Sequence, residues 1–176
     1  MSRAPGGIGL RMHHNLKVDP GRAPILVLAV GNPSRGDDAL GPALAEMVEA
    51  AALPGVEVIV EFQLQVENAL DLEGRERVIF VDAGVGTGVP FELREAKPAA
   101  DFLHTSHALS PEAVLATYLR VKGEAPPPST VLCVRGESFE LGEGLSAAAA
   151  VNLQAAGQKL LDLCRPRAAE AGQAVR

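Results

Sequence analysis

Five side chains have the types and placement to do polar chemistry: Asp37, Asp38, Asp82, His104 and His107. Asp37 and Asp38 follow the apolar run Ile25 to Val30 and the turn Gly31-Asn32-Pro33, and an Ala- and Leu-rich helix starts directly after them. Asp82 closes the run Arg77-Val78-Ile79-Phe80-Val81. Open α/β sheets bind ligands beyond the carboxyl ends of their strands, where the strand order reverses. If the first and third strands are neighbours, these acids converge in one crevice. Carboxylate oxygens with an imidazole then make a divalent-metal site. Each residue also has a plainer role. Either aspartate of the pair can cap the helix, because a carboxylate accepts helix N–H groups. Asp82 can form the turn before Ala83-Gly84, and a histidine can simply bond to loop backbone. Spacing alone does not choose between Asp37 and Asp38, or between His104 and His107.

The elements that must hold these groups are legible in the pattern. Ile25 to Val30 reads as a strand buried on both faces. The first helix runs from about Asp38 to Ala51 and stops at Leu53-Pro54-Gly55. Val56 to Glu61 is a second strand, Glu67 to Leu72 a short helix, and Arg77 to Asp82 a third strand. Phe91 to Ala96 is a fourth strand and Ser129 to Val134 a fifth. Ser110-Pro111-Glu112 opens a helix to about Val121, with Pro at its first position. A last helix spans about Ser146 to Leu163. Strands alternating with helices predict an α/β class. The expected architecture is a three-layer α/β/α sandwich around a mostly parallel, twisted, five-stranded sheet. A single domain over residues 25–164 is expected, with flexible tails over 1–24 and 165–176. His13 and His14 fall in the first tail.

Composition narrows the function. The chain has 176 residues, 47% of them hydrophobic, so it supports one sizeable core. Aromatics are 3%, Trp is absent and the formal net charge is -6, which argues against stacking on, or neutralising, a nucleic acid. No apolar stretch reaches the roughly 18–20 residues of a membrane span, and the first residues lack the apolar core of a secretory signal. Cys133 and Cys164 have no CxxC spacing, so two reduced thiols in a cytoplasmic protein are expected. The Gly31-Asn32-Pro33-Ser34-Arg35-Gly36 turn lacks both phosphate-cradle patterns, and the acids after it would repel phosphate.

Three segments, taken together and in order, resemble the hydrogenase maturation proteases, the endopeptidases that trim the C-terminus of NiFe-hydrogenase large subunits. Gly31 to Gly41 is similar to the family's opening motif, a strand followed by Gly-Asn, an acid pair and a glycine. Val78 to Ala83 is similar to its second motif. Ser106-His107-Ala108-Leu109-Ser110 is similar to its histidine motif. The resemblance spans about Ile25 to Leu163. It implies three metal ligands, Asp38, Asp82 and His107, which are also the catalytic residues, and leaves Asp37 and His104 outside the set. Asp37 is then expected to shape the loop or cap the helix. Where many members have a Gly-Thr-x-Gly loop after the second strand, this chain has Glu61 to Asn68, as in the subgroup serving cytoplasmic NAD-reducing hydrogenases.

The resemblance implies an aspartic-type, metal-using hydrolase that acts as a monomer in the cytoplasm, with no membrane partner. Its substrate is the immature large subunit, which brings nickel; other divalent ions can stand in. Asp38, Asp82 and His107 engage that nickel as the recognition element, and the C-terminal extension is cut off. Whether the metal or an aspartate drives hydrolysis is open at this level. A non-catalytic nickel-binding or chaperone-like factor of the same fold is the alternative. A phosphoacceptor receiver domain also pairs acids after strand one with an Asp ending strand three, but it needs a Lys on strand five, and Ser129 to Gly136 has none.

Overall fold

The computed structural model describes residues 19–100 and 109–166. His104 and His107, like the tail residues His13 and His14, lie outside the described residues. Five strands form: β1 (Ile25–Val30), β2 (Val56–Glu61), β3 (Arg77–Gly84), β4 (Phe91–Ala96) and β5 (Ser129–Arg135). Three α-helices accompany them: α1 (Leu40–Ala51), α2 (Pro111–Lys122) and α3 (Ala147–Leu163). The strand order is β2-β1-β3-β5-β4. All pairs are parallel except β4 with β5. β1 and β3 are neighbours, with Ile25 opposite Arg77 and Ala29 opposite Val81. The order therefore reverses between them, as the clustering of the acids requires.

The alternation of side chains along each strand sorts the core into two layers. Val27, Ala29, Ile79, Val81, Leu132 and Val134 pack against α1 and α3. Leu26, Leu28, Val78, Phe80 and Val131 pack against α2 and the turn over Val66–Leu72. Burial on both sides explains why β1 and β3 are continuous aliphatic runs. α1 and α3 lie so close that a Cβ on Gly157 would collide with the side chain of Met47. The result is the expected three-layer α/β/α sandwich. No helix of the described residues is long and apolar enough to cross a membrane.

The helix ends follow their local chemistry. The Ser110 hydroxyl accepts the N–H of Ala113 at 3.2 Å, Pro111 opens α2, and Gly123 closes it in the left-handed region at φ 70°. Ser146 caps α3 in the same way, accepting from Ala149 at 3.1 Å. Three elements differ from expectation in helix type or by more than one residue. Gly36–Ala39 is a 3-10 turn, and α1 begins only at Leu40. Val66–Leu72 is also 3-10. β3 continues two residues past Asp82.

Candidate active site

The turn that joins β1 to α1 is built by close backbone approach. The Gly31 N–H donates to the Glu61 carbonyl at 2.9 Å and ties the end of β1 to β2. A Cβ on Gly31 would overlap the Asp38 carbonyl oxygen, and its φ of 147° is one that glycine favours. A Cβ on Gly41 would overlap the Val30 carbonyl. The first turn of the helix is thus pressed onto the strand end. Inside the turn, Arg35 N–H donates to Asn32 O at 3.0 Å and Asp38 N–H to Arg35 O at 3.0 Å. The Asn32 amide donates to Asp38 Oδ2 at 2.9 Å. Asp38 therefore bonds back across its own turn and is only half-buried.

Asp82 stands on β3, one strand over. Its Oδ1 accepts the Ala83 N–H at 2.8 Å. Burial pushes its carboxyl up to about 6; the Ala83 bond opposes this, and the negative charge of Asp38 raises it further. Asp38 and Asp82 thus share one crevice at the carboxyl end of the parallel strands. Cys133 faces Asp82 across the β3–β5 pair. Its thiol contacts the Thr87 hydroxyl at 3.2 Å. Burial pushes that thiol above its usual range, with the charge of Asp82 adding to the effect. Burial likewise pushes Cys164 up to about 11. Protonated thiols are poor nucleophiles, so neither cysteine is built to attack a carbonyl.

Asp37 points the other way and is fully buried. Its Oδ2 accepts the N–H groups of Glu137 at 2.7 Å and Ser138 at 3.0 Å and the Ser146 hydroxyl at 2.9 Å. Its Oδ1 accepts the Ser146 N–H at 2.7 Å. Burial alone would raise the Asp37 carboxyl; the bonds from Glu137, Ser138 and Ser146 outweigh it and hold the group below the ordinary carboxylate range. Capping of the first helix by either aspartate is not observed, because neither the 3-10 turn nor α1 has a side-chain cap. Asp37 instead shapes a loop about a hundred residues away, over residues 136–146.

Asp38 and Asp82, of the expected trio, come together, and His107 lies outside the described residues. Among the described residues no group of three or more His, Cys, Asp or Glu side chains is arranged to hold a metal ion. The two carboxylates nonetheless suit a cation. They are hard oxygen donors, their charges repel, and one is raised by burial; a divalent ion would relieve both penalties. The contact of loop 136–146 with the site was not foreseeable from spacing. The nearest signals in the sequence are Gly136 and the helix-capping Ser146. A Cβ on Gly136 would sit 2.9 Å from the Cβ of Asp37.

No family model matches the chain. It is 32% identical over 155 residues to the hydrogenase 2 maturation protease of Escherichia coli strain K12, covering 84% of this chain and 94% of that protein. The structure is similar to that of the hydrogenase maturating endopeptidase HybD from E. coli, with a TM-score of 0.62 and 27% identity over 84% of this chain and 93% of the other. It also shares its fold with the NiFe-hydrogenase maturation protease HycI of Thermococcus kodakarensis KOD1, with a TM-score of 0.61 and 21% identity over 84% and 96% of the two chains.

Proposed function

This chain belongs to the hydrogenase maturation protease family and is a peptidase, and from that premise we propose that it removes the C-terminal extension of a nickel-loaded hydrogenase large-subunit precursor. The observation that carries the proposal is the meeting of Asp38 and Asp82 at the switch point between β1 and β3. In this reading nickel is part of the substrate. Asp38 and Asp82 supply oxygen ligands to it, and the His107 imidazole supplies a nitrogen as the third ligand. The support for His107 is the family's histidine motif and its neighbour in sequence. Leu109, two residues on, packs on the α2-side core and donates its N–H to Leu64 O at 3.1 Å. That is the face of β3 to which Phe80, and hence Asp82, points.

The carboxylates have distinct parts. Asp38 is held by the Asn32 amide through one oxygen, Oδ2. Asp82 is held by Ala83 through Oδ1. Each therefore has a second oxygen to offer the nickel. Nickel in the precursor would supply a Lewis acid and the charge by which a loaded precursor is told from an empty one. The raised carboxyl of Asp82 also suits it to move a proton near neutral pH.

The test is to incubate the protein with nickel-loaded and nickel-free precursor and follow the loss of mass. Only the loaded form is expected to shorten. Equal cleavage of both forms would sink nickel recognition, and cleavage of neither would sink the substrate assignment. Asp38→Ala and His107→Ala are each expected to lower the cleavage rate at least ~100-fold while leaving the melting temperature near that of the parent. Full activity in either variant would refute its place in the site.

A further inference from the structure

Loop 136–146 has no strand or helix of its own, yet it is bound tightly to the turn that carries Asp38. Beyond the four bonds to the Asp37 carboxylate, Asp37 N–H donates to Ser138 O at 2.7 Å and Gly36 N–H to Glu143 O at 3.1 Å. Gly142 N–H donates to Ser34 O at 2.8 Å, and Arg35 Nη2 to Phe139 O at 3.3 Å. Every residue from Ser34 to Asp37 is therefore tied to the loop. Asp37 and Asp38 are consecutive in a 3-10 turn, which rotates about 120° per residue, so their side chains diverge. One carboxylate is locked inward; the other is thereby aimed at the crevice. Without the loop, the Asp38 turn keeps its internal bonds among Asn32, Ser34, Arg35 and Asp38 and the Leu40 N–H to Asp37 O bond.

We infer that Asp37 is a positioning residue: by gathering loop 136–146 onto the 3-10 turn, it fixes Asp38 in place opposite Asp82. The inference rests on the precursor-cleaving reading for its link to rate, but the geometry it asserts is measurable without cleavage. The reporter is the Asn32 backbone amide, which donates to Asp38 Oδ2 and not to Asp37 or the loop. Positioning predicts that weakening the clamp disturbs this amide and lowers kcat. A clamp that only stabilises the fold predicts neither once the protein is folded.

Three variants separate these outcomes. Asp37→Asn keeps the shape but cannot accept four hydrogen bonds. Ser146→Ala removes only the hydroxyl bond to Asp37 and the cap bond to Ala149. Ser129→Ala removes a buried hydroxyl bond to Pro127 O, 2.8 Å, at the amino end of β5, the opposite end of the parallel strands from the acids. Nitrogen-15 NMR exchange of the Asn32 amide and steady-state cleavage of nickel-loaded precursor are measured for each well below its melting temperature. Asp37→Asn is expected to lower kcat roughly 100-fold with KM within about 3-fold, since a misplacement near 1 Å costs about that much. Ser146→Ala is expected to lower kcat about 5-fold, and both variants to speed Asn32 exchange. Ser129→Ala should change neither. If Asp37→Asn does not fold, the two serine variants decide. Parental Asn32 exchange in Ser146→Ala, or a loss confined to KM, overturns the inference. Absence of cleavage by the parent protein refutes the precursor reading instead, and Asn32 exchange still decides the positioning claim.

Discussion

At the scale of single residues, Asp82 and Asp37 contribute to stability with opposite signs. Asp82 has its folded pKa raised from 3.8 to about 6. Between those values the folded chain holds a proton that the unfolded chain has released, so stability falls as pH rises through that window. At neutral pH the ionised Asp82 costs on the order of 1–3 kcal/mol. Asp82→Asn removes that cost and keeps an oxygen for the Ala83 N–H. It is expected to melt several degrees above the parent at pH 7.5, to lose most of that advantage at pH 4, and to be inactive. Thermal melts at the two pH values check this, and a variant melting below the parent at pH 7.5 would refute it. Such a trade of stability for chemistry is common at active sites. Asp37 has a lowered pKa, so its contribution is present at neutral pH and is lost as pH falls through that lowered value. Asp37→Ala strands the N–H groups of Glu137, Ser138 and Ser146 in a buried place and is expected to cost about 3 kcal/mol or more, read from urea midpoints.

At the scale of elements, the contact between β1 and α1 sets where the site lies. A methyl on Gly41 meets the Val30 carbonyl, which belongs to the most buried strand and cannot yield. Gly41→Ala is expected to lower stability by about 2 kcal/mol or more and to abolish cleavage by lifting the acid-bearing turn off the strand. Gly144→Ala, at a position where a Cβ meets nothing within 4 Å, is expected to stay within about 0.5 kcal/mol of the parent in the same unfolding measurement. β1 was legible in the sequence because a doubly buried parallel strand leaves an unbroken aliphatic run, and the edge strands β2 and β4 because apolar residues are interleaved with charged ones; all three have the expected ends. The start of α1 was less legible. A 3-10 turn and the first turn of an α-helix share composition, and the bonds that favour the tighter turn come from loop 136–146. The end of β3 was also misplaced, because Asp82-Ala83-Gly84 reads as a turn while pairing with Cys133, Val134 and Arg135 draws it into the sheet.

At the scale of the whole molecule, the topology explains why acids distant in sequence meet. With β1 and β3 side by side and parallel, whatever follows one strand stands beside whatever ends the other. That much followed from the order of elements, whereas the choice of Asp38 over Asp37 as the partner of Asp82 came only from the family resemblance. The role of Asp37 did not follow from that order, because no local pattern marks a carboxylate whose partners lie 100 to 109 positions away. Reversal of β4 at the sheet edge was equally hidden, since an antiparallel edge strand and a parallel one share the same alternation. The two faces also carry different loads. The α1–α3 side is closed by helix contact down to Gly157, and the α2 side holds Asp82 and Cys133. Gly157→Leu is expected to pry α3 from α1 and lower the melting temperature by several degrees or more, with the crevice chemistry affected only through global unfolding.

The reach of Asp37 has a consequence for how the enzyme comes into being. Its partners Glu137 and Ser138 are translated 100 and 101 residues after it, and Ser146 109 residues after. At about 5–20 residues per second, the ribosome delivers them roughly 5–20 s after the acid pair has emerged. Through that interval the pair is hydrated and unclamped, and β5 has not yet joined the sheet. A nascent chain thus carries its acid-bearing turn without the clamp until residues a hundred positions later have emerged.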